Sequence, residues 1–314
     1  MSFSSNIKQE ITENRIRRQG DAAAMLSAFT LSIGSLSYAA KLRRWGIHFV
    51  SECEQAVLFI AKLAYRYFGV EFAITRVEHE RLNAVYHELL LYGSGLQGFL
   101  LATGFMSLDE KGEAQYEMRI PAERIVTDTQ KKAFLRGLFL ACGTASEPAK
   151  AYHAEFVLKS RELCDYASEL LFGFGIACKT ARRKSSEILY IKAGESVEDL
   201  LALLGASSAM MEVADTRILK QANNEANRGV NCINANLDRA ARTALRQAED
   251  IRLVISVVGF NNLPESLRAV AEVRLNNYEM TLSEIAEELG IGKSAVNYRF
   301  QKLSRMADEI RQKA

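Results

Sequence analysis

The sequence predicts an α+β protein in which a duplicated domain of helices and strands precedes an all-helical domain. Three observations lead to this prediction. A helix–strand pattern occurs twice within the first 205 residues, strand patterns are rare after residue 208, and residues 280–312 have the spacing of two helices joined by a tight turn. The length of 314 residues is sufficient for two domains with separate cores.

The composition excludes several classes of protein. Hydrophobic residues make up 48% and charged residues 25% of the chain, which is typical of a globular protein and not of collagen-like or disordered chains. Lys and Arg (40) nearly balance Asp and Glu (38), so any affinity for nucleic acid must come from local basic patches. The five cysteines contain no C-x-x-C pair, and no apolar run is long enough to span a bilayer. We therefore expect a cytoplasmic protein without metal, cofactor or membrane contact.

An internal repeat organises the first two thirds of the chain. Leu26–Gly34 (LSAFTLSIG) and Leu135–Gly143 (LRGLFLACG) both fit the pattern L-x-[AG]-x-x-L-x-x-G. Two further matches follow in the same order: Phe49-Val50 with Phe156-Val157, and FGVEFAITR from Phe68 with FGIACKTAR from Phe174. Ordered matches at nearly constant offset indicate a duplication, which we place at about residues 20–110 and 128–205 of a domain covering residues 1–210.

Each copy has the pattern α-β-β-α-β-β. The predicted extended segments are residues 36–38, 47–51, 70–77, 152–158 and 187–192, and the predicted second helices are residues 54–68 and 161–172. The first helix of each copy ends at a glycine, Gly34 or Gly143. Such glycines suit either helix C-caps or a close approach of backbones where two helices pack.

A basic, asparagine-rich segment at residues 211–236 links this domain to a C-terminal domain at residues 237–314. Six basic and three acidic residues lie between Val213 and Gln247, and six asparagines cluster there. Asparagine is a poor helix former that favours caps and turns, so the sequence predicts a helix, an asparagine-rich break and a second helix.

Residues 281–307 have the pattern of a helix–turn–helix. Thr281 and Glu284 form a capping box, Gly290 provides the turn, and the second helix starts near Lys293. The predicted core positions are Ile285, Ala286, Leu289, Ile291, Val296, Phe300 and Leu303. This pattern favours a DNA-binding motif, although an ordinary helical hairpin with a solvated polar face is the alternative.

The polar face of the second helix carries the side-chain types that bind DNA. Asparagine can pair with adenine, whereas lysine and arginine bind guanine or phosphate oxygens. We predict Asn297 as a base-reading residue, and Lys302 with Arg305 as phosphate ligands. The full set of candidate DNA-binding residues is Thr281, Lys293, Ser294, Ala295, Asn297, Tyr298, Arg299, Gln301, Lys302 and Arg305.

The repeated helix resembles the LAGLIDADG motif of homing endonucleases. In that family two such helices pack at a pseudo-two-fold axis, and an acidic residue before each final glycine binds a catalytic metal ion. Ile33 and Cys142 occupy these two positions here, and neither offers the oxygen ligand that a divalent ion needs. The resemblance therefore implies the fold but not the reaction.

Nearly the whole chain resembles the WhiA family, regulators of sporulation and cell division in Gram-positive bacteria. The resemblance rests on MSFSSNIKQEI, LRGLFLACGTASEPAKAYHAEFV, VADTRILKQANNEANRGVNCINANLDRAARTALRQ, LPESLRAVAEVRL and KSAVNYRFQKL. It implies a degenerate LAGLIDADG homing-endonuclease domain joined to a helix–turn–helix domain similar to region 4 of sigma factors. We accordingly expect a nucleoid-associated transcription regulator that binds double-stranded DNA, with other transcription factors or RNA polymerase as further partners.

Two alternatives and one secondary site complete the predictions. The protein could instead be a metal-dependent DNA endonuclease, or its N-terminal domain could be a platform for protein interactions. Homing endonucleases lay their sheets in the major groove of DNA, so a basic run on a predicted β-turn is a secondary DNA-contact candidate; its simpler interpretation is a solvated hairpin tip. The secondary candidates are Arg76, Lys179, Arg182, Arg183, Lys184 and Arg228.

Overall fold

The structure is a computed structural model that describes residues 2–40, 43–79, 84–116 and 118–313. It divides into an N-terminal unit that ends at Lys220 and a C-terminal unit that begins at Gln221. Each unit has its own hydrophobic core. Among the described residues, none of the helices combines the length and the apolar composition needed to span a bilayer.

The elements of the N-terminal unit fall into two successive sets. The first comprises α1 (Phe3–Glu13), α2 (Gln19–Ile33), β1 (Ser35–Ala39), β2 (Arg44–Ser51), α3 (Glu54–Phe68), β3 (Glu71–His79), β4 (Ala84–Tyr92) and α4 (Leu96–Thr103). The second comprises β5 (Ser107–Leu108), β6 (Ala114–Gln115), α5 (Asp128–Cys142), β7 (Gly143–Ala145), β8 (Ala154–Leu158), α6 (Arg161–Gly173), β9 (Lys179–Arg183), β10 (Ser186–Ile191) and α7 (Gly194–Leu204).

The two sets have the same topology. Their antiparallel four-stranded sheets follow the orders β1-β2-β4-β3 and β7-β8-β10-β9. The chain order α2-β1-β2-α3-β3-β4 therefore recurs as α5-β7-β8-α6-β9-β10. The predicted α-β-β-α-β-β unit is confirmed, including both second helices.

An aromatic pair stands at the same place in each repeat. In the first, the rings of Phe29 on α2 and Phe49 on β2 have centroids 5.4 Å apart. In the second, Phe139 on α5 and Phe156 on β8 are 5.7 Å apart in an edge-to-face arrangement. All four rings are fully buried, so each pair fastens the motif helix to its sheet.

The glycines of the motif act through close approach. Gly34 and Gly143 end their helices with extended backbone, not with the left-handed conformation of a C-cap. A Cβ atom at Gly34 would lie 2.5 Å from the carbonyl oxygen of Thr30, one turn earlier. The contact between the two motif helices falls at Gly137 on α5, where a Cβ atom would overlap the carbonyl oxygen of Met25 on α2.

In the described part of the C-terminal unit, all of the regular secondary structure is helical. A long helix, α8 (Ser207–Val258), begins in the N-terminal unit and continues into the C-terminal one. It is followed by α9 (Glu265–Asn276), α10 (Leu282–Glu288) and α11 (Lys293–Lys313).

The predicted asparagine-rich break within residues 211–236 is wrong, because α8 runs through it without interruption. Both ends of α8 are anchored: Val213 is buried in the N-terminal core, and Ile251 and Val254 are buried in the C-terminal core. Extending a helix by one residue is much cheaper than starting a new one, and an asparagine costs at most about 0.7 kcal/mol. Without a proline to interrupt it, the helix continues.

We expect Gly137→Ala to lower the free energy of unfolding of the N-terminal unit by about 1–3 kcal/mol, the usual cost of overpacking. The added methyl group would push α2 and α5 apart at the Met25 carbonyl. Trp45, the only tryptophan, lies on β2. Its fluorescence during guanidinium denaturation therefore reports on this unit of the full chain.

Gly98→Ala is the matched control, because Gly98 lies within α4 and no atom lies within 4 Å of an added Cβ. Alanine in a helix lowers the entropy of the unfolded chain, so the denaturation midpoint should stay or rise slightly. Equal midpoints for the two variants would contradict the helix contact assigned to Gly137.

Candidate nucleic-acid interface

The helix–turn–helix begins with the predicted capping box. The Thr281 hydroxyl accepts a hydrogen bond from the backbone N–H of Glu284, whose carboxylate accepts one from the Thr281 N–H at 2.6 Å. The hydrogen bond that the Thr281 N–H donates to this carboxylate lowers the pKa of Glu284. Gly290 then adopts a left-handed conformation (φ +63°), and the N–H of Ile291 donates to the Ala286 carbonyl at 2.9 Å. This turn ends α10 and directs the chain into α11.

The inner face of α11 is the one that the sequence predicts. Val296, Phe300 and Leu303 are buried, together with Ala307 one turn further on. They pack in one cluster with residues of α8, α9 and α10. The opposite face of α11 is therefore held outward by a core that the protein builds independently of any ligand.

The ten predicted DNA-binding residues differ in exposure. Ala295 and Arg299 are half-buried, and Thr281 is exposed but its hydroxyl serves the helix cap. The spacing i, i+3, i+7 and i+11 aligns Ser294, Asn297, Gln301 and Arg305 on one face of α11. The exposed members of the set are Thr281, Lys293, Ser294, Asn297, Tyr298, Gln301, Lys302 and Arg305.

Part of this face forms one wall of a groove whose other wall is α8. Asn297, Gln301 and Arg305 line the groove from α11, and Thr243 and Arg246 line it from α8. The sequence alone places Arg246 among the basic residues of a connecting segment and predicts no contact with α11. Its position beside α11 depends on how the two helices cross, which local spacing does not reveal.

Arg274 on α9 fixes how these helices meet. It is only 2% exposed, and its Nε donates to the Gln247 side chain of α8 at 3.1 Å. Its Nη1 donates to the carbonyl oxygens of Tyr278 and Met280, and its guanidinium lies 5.3 Å from the ring centroid of Phe300. Burial lowers the pKa of Arg274, yet arginine stays charged at any physiological pH.

Arg274 is absent from the residues predicted from the sequence, although a signal for it exists. Leu267, Val270 and Ala271 are the buried apolar residues of α9, and Arg274 continues their i, i+3, i+4, i+7 spacing. A basic residue at a core position of an amphipathic helix must find internal acceptors. The pattern thus indicates a buried arginine, but not its partners.

The ends of the two motif helices do not offer metal ligands. Ile33 closes α2 with an alkyl side chain, and the Cys142 thiol at the end of α5 donates to the Leu138 carbonyl at 3.3 Å. Burial raises the pKa of Cys142 to about 12, so the thiolate is not available at neutral pH. Within the described ranges, no three His, Cys, Asp or Glu side chains are placed so that they could hold a metal ion.

A lysine from α1 lies at this place instead. The Ser4 hydroxyl on α1 donates to the Ala145 carbonyl and accepts from its N–H, both at 2.8 Å, which docks α1 beside β7. Lys8, one turn further along α1, is close enough to Cys53, Cys142 and Glu52 to interact with them electrostatically. Burial lowers the pKa of Lys8, and these three neighbours oppose that shift. No sequence motif singles out Lys8.

The secondary DNA-contact candidates are dispersed. Arg76 and Arg182 lie on the edge strands β3 and β9, and they pair with Glu78 at 2.9 Å and Glu187 at 3.6 Å. The basic run predicted on a β-turn lies mainly on a strand, because β9 includes Lys179, Arg182 and Arg183, and only Lys184 is in the turn. The strand forms because β10 pairs with it along its whole length. Arg228 is exposed on α8.

Comparison with known families agrees with this architecture. A model described as "WhiA C-terminal HTH domain" matches residues 226–307, and one described as "WhiA LAGLIDADG-like domain" matches residues 93–133 and 131–223. The chain belongs to the WhiA family. Relatives named "Probable cell division protein WhiA" are 35% identical over 315 residues in Clostridium acetobutylicum and 33% over 313 residues in Clostridium perfringens strain 13, with 99% of each chain covered.

A solved structure supports the fold of this WhiA-family chain over its full length. The crystal structure of full-length DUF199/WhiA from Thermatoga maritima aligns with a TM-score of 0.60 at 24% identity, covering 98% of this chain and 99% of that one. The predicted fold class, a LAGLIDADG-like double repeat followed by a helix–turn–helix domain, is confirmed.

Proposed function

We propose that the protein is a sequence-specific DNA-binding regulator of transcription that reads DNA with α11. One observation carries the proposal: Ser294, Asn297, Gln301 and Arg305 share the face of α11 that the core holds outward. Hydroxyl, amide and guanidinium groups on a helix are the donors and acceptors that match base edges in the major groove.

The family suggests the process in which the regulator acts. Relatives that cover 99% of the chain are named as probable cell division proteins. We therefore infer a role in cell division, together with the role in sporulation that the resemblance implies. A regulator of this kind acts at the chromosome, so we place it with the nucleoid.

We further propose that the LAGLIDADG-like repeat does not cleave DNA. A divalent ion at a scissile phosphate needs hard oxygen ligands, and Ile33 and Cys142 provide none. The Lys8 ammonium near Cys142 adds a positive charge that repels a second cation. Both arguments concern the side chains that are present, and they apply to magnesium and manganese alike.

Replacing Asn297 and Lys302 separately tests whether the outward face of α11 binds DNA. Asn297→Ala should cost about 1–3 kcal/mol at one base pair of a selected binding sequence and little elsewhere, because it removes a base-specific hydrogen-bonded pair. Lys302→Ala should weaken all sequences evenly and lower the slope of log K against log salt by about one, because it removes one cation that neutralises a phosphate. Fluorescence anisotropy with labelled duplexes measures both.

Glu272→Ala, at an exposed position of α9, is the control and should leave both quantities unchanged. If Asn297→Ala and Lys302→Ala also left every binding curve unchanged, α11 would not be the recognition helix.

Incubation with supercoiled plasmid separates the regulator from the endonuclease alternative, because only an endonuclease would nick the DNA. We expect the plasmid to remain intact after incubation with the full chain and either Mg²⁺ or Mn²⁺, because the helix ends lack carboxylates. Agarose gels resolve nicked from supercoiled DNA, and an active homing endonuclease with its target plasmid is the positive control. Nicking that depends on the metal ion and on this chain would overturn the non-catalytic assignment.

The second candidate function is a protein-interaction platform in the N-terminal unit. Arg76 and Arg182 pair across the ladder with His87 and Glu187, which are buried, so both arginines point to the helix-covered side of their sheets. Glu88, whose carboxylate lies 3.4 Å from the imidazole of His48, is on the opposite side of the first sheet. A carboxylate on the open face is unfavourable next to phosphates and favours a protein partner.

Charge reversal at Lys179 and Arg183, which lie on the open side of β9, tests this candidate in the full chain. We expect the double variant Lys179→Glu/Arg183→Glu to bind DNA as tightly as the unchanged protein, because the sheets do not contact the duplex. A fall in affinity of tenfold or more, about 1.4 kcal/mol, would show that they do, because a carboxylate in place of a phosphate-binding cation repels the backbone.

A further inference from the structure

We propose that the DNA-binding surface continues from α11 onto the long helix α8. There Arg239, Arg242 and Arg246 bind the phosphate backbone beside the DNA major groove that α11 enters. The inference rests on the proposed function, because it assumes that α11 binds DNA. It adds a second helix to the interface and assigns a role to residues that the sequence alone places in a basic connector.

The residues that line two grooves of the C-terminal unit show that two of these arginines lie near α11. Between α8 and α11, Arg246 of α8 shares a groove with Asn297, Gln301 and Arg305. Near the start of α11, Arg239 lines a second groove together with Lys293, the first residue of α11. Arg239 and Arg246 therefore lie near the beginning and the middle of the recognition helix.

The three arginines form one row along α8. Their spacing of i, i+3 and i+7 aligns Arg239, Arg242 and Arg246 on the same side of the helix. Continuing the same row backwards reaches Arg228, which is exposed as well. From Arg228 to Arg246 the helix rises about 27 Å at 1.5 Å per residue, a length comparable with most of one turn of duplex DNA.

These guanidinium groups are available for a ligand. Arg239, Arg242 and Arg246 are exposed, and among the described residues none of them forms a salt bridge. The acidic residue of the Arg246 groove, Asp308, is held by Arg311 at 3.0 Å. A row of planar, permanently charged guanidinium groups without acidic partners matches a row of phosphates in both charge and geometry.

Helix–turn–helix proteins need such contacts beside the recognition helix. A helix that enters the major groove has a phosphate backbone on each side, and neighbouring helices of the domain contact these backbones. Arg239 and Arg246, on the neighbouring helix α8, are placed to contact one of these backbones. Contacts of this kind set register and orientation without reading bases, so their removal affects all sequences alike.

The experiment is a salt titration of full-length protein on a mixed-sequence duplex of about 30 base pairs, roughly three helical turns. Replacing both arginines, Arg239→Ala/Arg246→Ala, should lower the slope of log K against log salt by about two. The affinity advantage of the unchanged protein over this variant should then shrink about tenfold between 50 and 200 mM salt. Both residues are exposed, so the circular dichroism spectrum and melting temperature should not change.

The charge-conserving variant Arg239→Lys/Arg246→Lys is the matched control, and it should keep the salt slope of the unchanged protein. Lys302→Ala, measured in the same titration, separates the two hypotheses. A slope lowered by Lys302→Ala and unaffected by the arginine double variant would overturn the extension onto α8 and leave recognition by α11 intact. If neither Lys302→Ala nor the arginine double variant changed the salt slope, both recognition by α11 and its extension onto α8 would be overturned.

Discussion

The contact between α2 and α5 is the constraint on which the N-terminal unit depends. The two helices approach until the backbone of Gly137 meets the carbonyl of Met25, with no room for a side chain between them. This approach brings two separate sheets, each fastened to its own motif helix by a buried aromatic pair, around one core. Close backbone packing of this kind depends on shape and tolerates little change in volume.

The same contact also sets the surroundings of the ends of the two motif helices. Ile33 and Cys142 are the last residues of α2 and α5, and neither side chain carries a carboxylate. In this chain α1 docks there and contributes Lys8, which joins the N-terminal segment to the core of the repeat.

The C-terminal unit depends on a different interaction, the buried guanidinium of Arg274. It satisfies one side-chain and two backbone acceptors and lies against Phe300, so it joins α8, α9, the segment before α10 and α11. A buried charge is tolerated only when its partners are in place, which makes this arrangement specific. It also brings α8 beside the recognition helix, and thereby turns a connecting helix into a wall of the proposed DNA interface.

Local sequence pattern determined most of the elements of this protein and the outline of its candidate site. Periodicity located both copies of the repeat, and the capping box at Thr281 and the apolar spacing of α11 located the outward polar face, because these features depend on residues a few positions apart. Tertiary structure alone decided that α8 continues through its asparagines, that Arg182 faces a buried glutamate, and that Lys8, Arg246 and Arg274 reach their neighbours. These outcomes depend on which elements meet in space, and the energies that decide them come from anchoring, burial and pairing between residues far apart in the chain.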